Sequence, residues 1–195
     1  SWTAINKGIE KPNLVWRIVQ DEVNPNLLFA GTEFGLYFSV NGGGQWIPLK
    51  GKVPTISFRD LAIQRRENDL VAASFGRGFF VLDDISPLRD VSEEQLNQTA
   101  TLFRVSDAWW YIPRPSLSFG PGKGSQGASY YIAPNPPFGA VFTYYLKEDL
   151  KTRKELRKER EKELEEDQDV PFPGWDAVEA ERLEPEPKVF LTVKN

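Results

Sequence analysis

NLLFAGTEFGLYFS (residues 26–39) and NDLVAASFGRGFFVL (residues 68–82) are two versions of one pattern. Leu28 stands over Leu70, Ala30 over Ala72 and Thr32 over Ser74, each 42 residues apart, and Gly35 meets Gly78 after one inserted residue. Upstream, WRIVQ (16–20) lies over FRDLA (58–62) at the same spacing. At the start, SWTAINKGI (1–9) echoes GQWIPLKGKVP (44–54), with Trp2 standing 44 residues before Trp46. A period near 42–44 built from short β-prone runs suits the four-stranded blade of a β-propeller. The pattern predicts strands over 16–20, 27–32, 35–40 and 46–49, then over 58–64, 70–75 and 78–82. Val, Phe, Tyr, Trp, Ile and Thr dominate these runs, as a half-buried pleat requires.

Between the third and fourth predicted strands stands SVNGGGQW (39–46). Three glycines in a row suit a phosphate loop or a hairpin tip. A phosphate loop needs a following helix. Here Trp-Ile-Pro-Leu follows, and Pro48 blocks a helix interior. The hairpin is favoured, with Ser39 and Asn41 bonding nearby backbone N–H groups.

Ser39, Asn41, Gly43 and Trp46 make the pattern Ser-X-Asn-X-Gly-X-X-Trp, which resembles the Asp box of sialidase-type and sortilin-like β-propellers (bacterial neuraminidase repeats). Residues 1–112 resemble the last full blade and the closing blade of large bacterial sortilin-like proteins, often labelled glycosyl hydrolase-like. Asn41 replaces the commoner Asp, and Phe75 stands where the family often has His before Gly-Arg-Gly. The resemblance implies a secreted or cell-envelope protein with an immunoglobulin-like module after the propeller.

Beyond the repeat, Ser92 with Gln95 three residues on makes a capping-box pattern in 85–100. ATLFRVSDAWWYI (100–112) reads as one more strand. Residues 113–128 read as a Pro/Gly/Ser-rich linker. Residues 129–195 read as a partial immunoglobulin-like module. In it, 139–148 and 188–195 are neighbouring strands, and a polar helix, 150–167, is inserted between them. Leu150, Leu156 and Leu164 make no continuous stripe, so charge pairs should hold that helix. The expected fold class is therefore mostly β: terminal propeller blades followed by part of an immunoglobulin-like module with a charged helical insertion.

Composition limits the chemistry. Histidine, cysteine and methionine are absent from the 195 residues. Ser-His, Cys-His and His-metal mechanisms, thiolate metal sites and disulfides are thereby excluded within this chain. A net charge of −4 argues against nucleic acid as a partner. No apolar run approaches the ~20 residues of a membrane span. The chain opens on SWTAINKGI without Met or a signal peptide, and reads as a piece of something longer.

Each candidate site has a plain alternative. Arg77, between Gly76 and Gly78, can face an anion, but an exposed turn is favoured. Asp83 and Asp84 are adjacent, so on a strand they point to opposite faces and suit a turn better than a glycosidase pair. Trp109 and Tyr111 would share one strand face as a sugar platform, with Trp110 on the other; packing is favoured. Trp175 is a further candidate for a carbohydrate contact. No metal or cofactor is expected. The leading expectation is a non-catalytic structural and interaction segment of a larger sortilin-like propeller, packed against its remaining blades or self-associating. The alternatives are part of a sialidase-like glycoside hydrolase, with its active site in other blades, and a carbohydrate-binding module.

Overall fold

The computed structural model describes residues 2–10, 12–112, 129, 138–163 and 170–194. The expected linker, 113–128, lies outside the described residues, as do Leu164 and the end of the expected 150–167 helix. The chain is mostly β, with antiparallel sheets and few short helices, and divides into two units, Ser1–Tyr145 and Leu146–Asn195.

The first unit opens with β1 (Val15–Gln20), β2 (Leu28–Thr32), β3 (Gly35–Ser39) and β4 (Ile47–Pro48), an antiparallel sheet in that order. Pro48 sits on its edge strand, where a missing N–H costs no ladder bond. β5 (Phe58–Gln64), β6 (Asp69–Ser74) and β7 (Phe79–Leu82) make a second sheet in order. The two ladders match pair for pair. Ile18↔Ala30 and Val19↔Phe29 in the first correspond to Leu61↔Ala72 and Ala62↔Val71 in the second. Gly31↔Leu36 and Phe29↔Phe38 correspond to Ala73↔Phe79 and Val71↔Val81.

Both first strands carry a β-bulge at the same place. The ladder skips Trp16 in β1 and Arg59 in β5. Val15 therefore corresponds to Phe58 and Trp16 to Arg59, an offset of 43. The sequence alignment of Trp16 with Phe58 is thus off by one residue. Because side chains alternate, that single step exchanges the two faces of the strand.

The alternation places one core between the sheets. Leu27, Phe29 and Leu36 of the first meet Phe58, Leu61, Leu70 and Ala72 of the second, closed by Ile85. Phe58 and Phe80 meet edge to face at 5.4 Å. Gly31 is what lets the sheets close: a Cβ there would lie 2.8 Å from the Phe58 carbonyl oxygen. A smaller cluster of Ala30, Tyr37 and Trp46 lies on the opposite face of the first sheet.

After β7 come α1 (Ser86–Arg89) and α2 (Glu93–Asn97). α2 has the expected capping box: the Ser92 hydroxyl accepts from the Gln95 N–H, and the Gln95 side chain accepts from the Ser92 N–H. β8 (Ala100–Leu102) pairs with β9 (Tyr144–Leu146). The strand expected over 100–112 stops at Leu102. Past it, side chains compete for hydrogen bonds: the Ser106 hydroxyl bonds the Asp84 carboxylate at 2.8 Å. Trp110 and Tyr111 then both contact the Phe138 ring, so the alternating placement of 109–111 does not hold. The strand expected over 139–148 shortens to β9, following Gly139 at φ +97°.

In the second unit, α3 (Arg153–Lys162) and α4 (Trp175–Leu183) are helices. α3 is shorter than the expected 150–167. It begins after Thr152, whose hydroxyl accepts from the Glu155 N–H in a capping box, and Glu163 ends it. Charge pairs do join it to its surroundings, with Arg157 forking onto Glu181 of α4 at 2.7 and 2.8 Å. Residues 188–194 form no strand, contrary to expectation. A β-prone run without a pairing partner has no ladder to join.

Candidate functional site

The bulges bring chemistry to the seam between the sheets. A bulge re-aims its extra side chain, and here the two re-aimed residues meet: the Arg59 guanidinium carbon lies 3.6 Å from the Trp16 ring centre. Phe75 approaches the same guanidinium at 5.2 Å. Glu33, in the β2–β3 turn, accepts from the Trp16 indole N–H at 2.7 Å and from the Ser57 hydroxyl at 3.2 Å. Its carboxylate lies 3.8 Å from Arg59, which also donates to Ser57 Oγ at 2.8 Å. One step along the strands, Arg17 and Asp60 pair at 3.4 Å. Each of these arginines faces a carboxylate. Such exposed cation–π and ion pairs contribute about 0.5–1 kcal/mol each at most. The chemistry available here is a charge-balanced, half-exposed aromatic surface.

The Ser39–Trp46 turn closes on itself. The buried Ser39 hydroxyl donates to Asn41 Oδ1 at 2.9 Å and accepts from the Gly43 N–H at 3.0 Å. Asn41 Oδ1 also accepts from the Gln45 N–H at 2.9 Å. Gly43 sits at φ +90°, a region that suits glycine. Trp46 is 1% exposed, and its indole N–H donates to the Ile5 carbonyl at 2.6 Å. All four residues of the pattern are thus engaged in building the turn and its packing. Trp2, which echoes Trp46 in sequence, is fully exposed instead.

A third feature has no signature in the sequence. Asp21 and Arg89, 68 residues apart, form a bidentate pair at 2.8 and 2.9 Å. Their side chains are 1% and 14% exposed. Asp21 also accepts from the N–H groups of Val23 and Asn24. Arg89 donates to Asn68 Oδ1 at 2.8 Å, and its carbonyl accepts from Asn24 Nδ2 at 3.0 Å. Burial alone would raise the Asp21 pKa, but the Arg89 hydrogen bond, the backbone N–H donors and the Arg89 charge together bring it below its ordinary value. The turn before β2, the β5–β6 turn and α1 are clasped together by this one network. Asp84 is lowered for similar reasons: burial opposes, while bonds from Ser86 and Ser106 prevail. The adjacent Asp83–Asp84 pair thus marks a hydrogen-bonded turn.

The ligand-contact candidates of the first unit, Arg77, Trp109 and Tyr111, do not make one site. Arg77 is exposed in the β6–β7 turn, whose Phe75 N–H donates to the Ser57 carbonyl at 2.8 Å. Trp109 lies at the opposite end of that sheet, its indole N–H 3.4 Å from Glu67 in the β5–β6 turn. Tyr111 packs edge to face on Phe138 at 5.4 Å. Trp175 begins α4 in the second unit, against Phe172 at 5.1 Å. Among the described residues no group of three His, Cys, Asp or Glu could hold a metal, and no helix is long and apolar enough to cross a membrane. No protein-family model, curated protein or solved structure matches the chain.

Proposed function

We propose that the two sheets are neighbouring blades of a sortilin-like, Asp-box β-propeller and that this segment serves as a non-catalytic scaffold. The supporting observation is the pair-for-pair equivalence of the two ladders, including the shared bulge, with equivalent residues Trp16 and Arg59 in contact across the seam. Adjacent blades related by rotation bring equivalent positions side by side. The arginines and carboxylates nearest the seam are spent on each other, as a scaffold requires. The family resemblance alone supports an immunoglobulin-like reading of residues 129–195, whose described part carries β9, α3 and α4.

The test is a panel of fluorogenic glycosides, sialosides included, with the protein that carries the complete propeller, as wild type and with Glu33 or Asp60 replaced by the corresponding amide. The scaffold reading expects no turnover above the blank. Turnover lost on either substitution would overturn it, and turnover that survives both would favour the hydrolase with its active site in other blades. One observation favours a second reading, glycan binding: Phe75 stands exposed beside the Trp16–Arg59 stack. Retention on a glycan column that falls when Phe75 becomes Ala would support it. Retention lost only with Trp109→Ala or Trp175→Ala would place binding elsewhere.

A further inference from the structure

The core between the two sheets has two halves, and each half has a second copy on the same chain that faces no other sheet among the described residues. The first sheet meets the second through Leu27, Phe29 and Leu36. The equivalents of Phe29, Leu36 and Phe38 on the second sheet are Val71, Phe79 and Val81, by ladder register. Leu36 is 4% exposed, whereas Phe79 and Val81 are 75% and 55% exposed. Conversely, the second sheet meets the first through Phe58 and Leu61. Their equivalents, Val15 and Ile18, line an apolar hollow of about 280 Å³ on the far side of the first sheet, with Ile5, Ile9 and Trp46.

A strand is missing in a matching place. β3 pairs with β4, whereas β7 has no outer neighbour among the described residues. The segment that echoes β4 in sequence starts at Trp2, and it carries Gly8 at φ +96°, one residue past the position that the 44-residue spacing assigns to the counterpart of Gly51 at +94°. Charge is matched as well. Arg17 and Asp60 occupy equivalent positions and bear opposite signs, so a repeated stack alternates them.

We propose that a second copy of this chain docks head to tail on the Phe79–Val81 face. It presents its Val15–Ile18 face and lays Thr3 and Ala4 beside Val81 and Phe80 as a fourth strand. The proposal rests on the blade reading and names its partner. Asp60 of one copy then faces Arg17 of the next, and Arg59 faces the next Trp16. Such a contact joins two different surfaces, so it propagates around an axis instead of closing as a two-fold dimer. One position departs from the internal interface. Ala73 stands where Gly31 does, and a methyl at Gly31 would lie 2.8 Å from the facing carbonyl, so the docked strand sits further out there.

The absence of cysteine makes the test clean. Chains carrying only Arg17→Cys and chains carrying only Asp60→Cys are treated with a short thiol-to-thiol cross-linker, separately and mixed. The expected result is a covalent dimer in the mixture, at least fivefold above either variant alone. No dimer in the mixture overturns the proposal, as does equal dimer in a single-variant tube, which marks a symmetric contact. The Arg17→Cys/Asp60→Cys chain should link within one molecule. If it does, a failed mixture removes only the assembly; if it does not, the blade reading falls and the proposal with it.

Discussion

Removing Asp21 tests whether the two sheets are held as one body. In Asp21→Ala, Arg89 loses two hydrogen bonds of 2.8 and 2.9 Å and keeps its bond to Asn68. In Arg89→Ala, a carboxylate 1% exposed is left with only backbone N–H donors. Breaking one side of a buried pair costs about 3–5 kcal/mol. Arg89 retains some water contact, so about 3 kcal/mol is expected for Asp21→Ala. Arg89→Ala should lie nearer the upper end. For a chain of this size, about 3 kcal/mol lowers Tm by roughly 6–12 °C. The assay is urea denaturation followed by circular dichroism on both single variants and the double variant. The double variant should fall short of the sum of the singles by more than about 1 kcal/mol, since neither charge is then left alone. Singles that each cost under about 0.5 kcal/mol, or strict additivity, would refute the clasp.

Three further outcomes follow from named contacts. Trp46→Ala should cost about 3–5 kcal/mol by cavity formation, and Trp46→Phe less, since it retains an aromatic ring but loses the indole bond to Ile5; thermal melts compare them. Asn41→Ala removes the acceptor for Ser39 and Gln45 and should cost about 1–2 kcal/mol in urea denaturation. Asp21 and Asp84 both have folded pKa values below the ordinary 3.8. Their stabilisation is therefore present above about pH 3.8 and is lost as pH falls through the lower folded values. Melts of wild type and Asp21→Ala between pH 5 and 2 should accordingly converge as pH falls.

The repeat made most of the first unit legible. Short β-branched and aromatic runs with turn residues between them predicted all seven strands of the two sheets to within a residue or two. The SVNGGGQW turn was legible because its bonds are local. The bulge was not: aligning Trp16 with Phe58 matched aromatic with aromatic, while the ladder registers make Trp16 and Arg59 the equivalent positions. The stack of Arg59 on Trp16 was hidden with it. The Asp21–Arg89 pair spans 68 residues, and local pattern carries no information at that range. Residues 188–194 show the converse failure, since β-propensity expresses itself only where a neighbouring strand is present. α4 was missed because WDAVEAERL has only a weak apolar stripe. Its helical signals are Ala177 and Ala180, Asp176 in the first turn and Arg182 in the last.

Native-state hydrogen exchange is the most direct measure of whether β1–β4 and β5–β7 form one cooperative body around a shared core. Amides of β2, β3, β5 and β6 should exchange with one common opening free energy, lowered together by Asp21→Ala. Strong protection confined to β1–β4, with β5–β7 exchanging independently, would contradict the account.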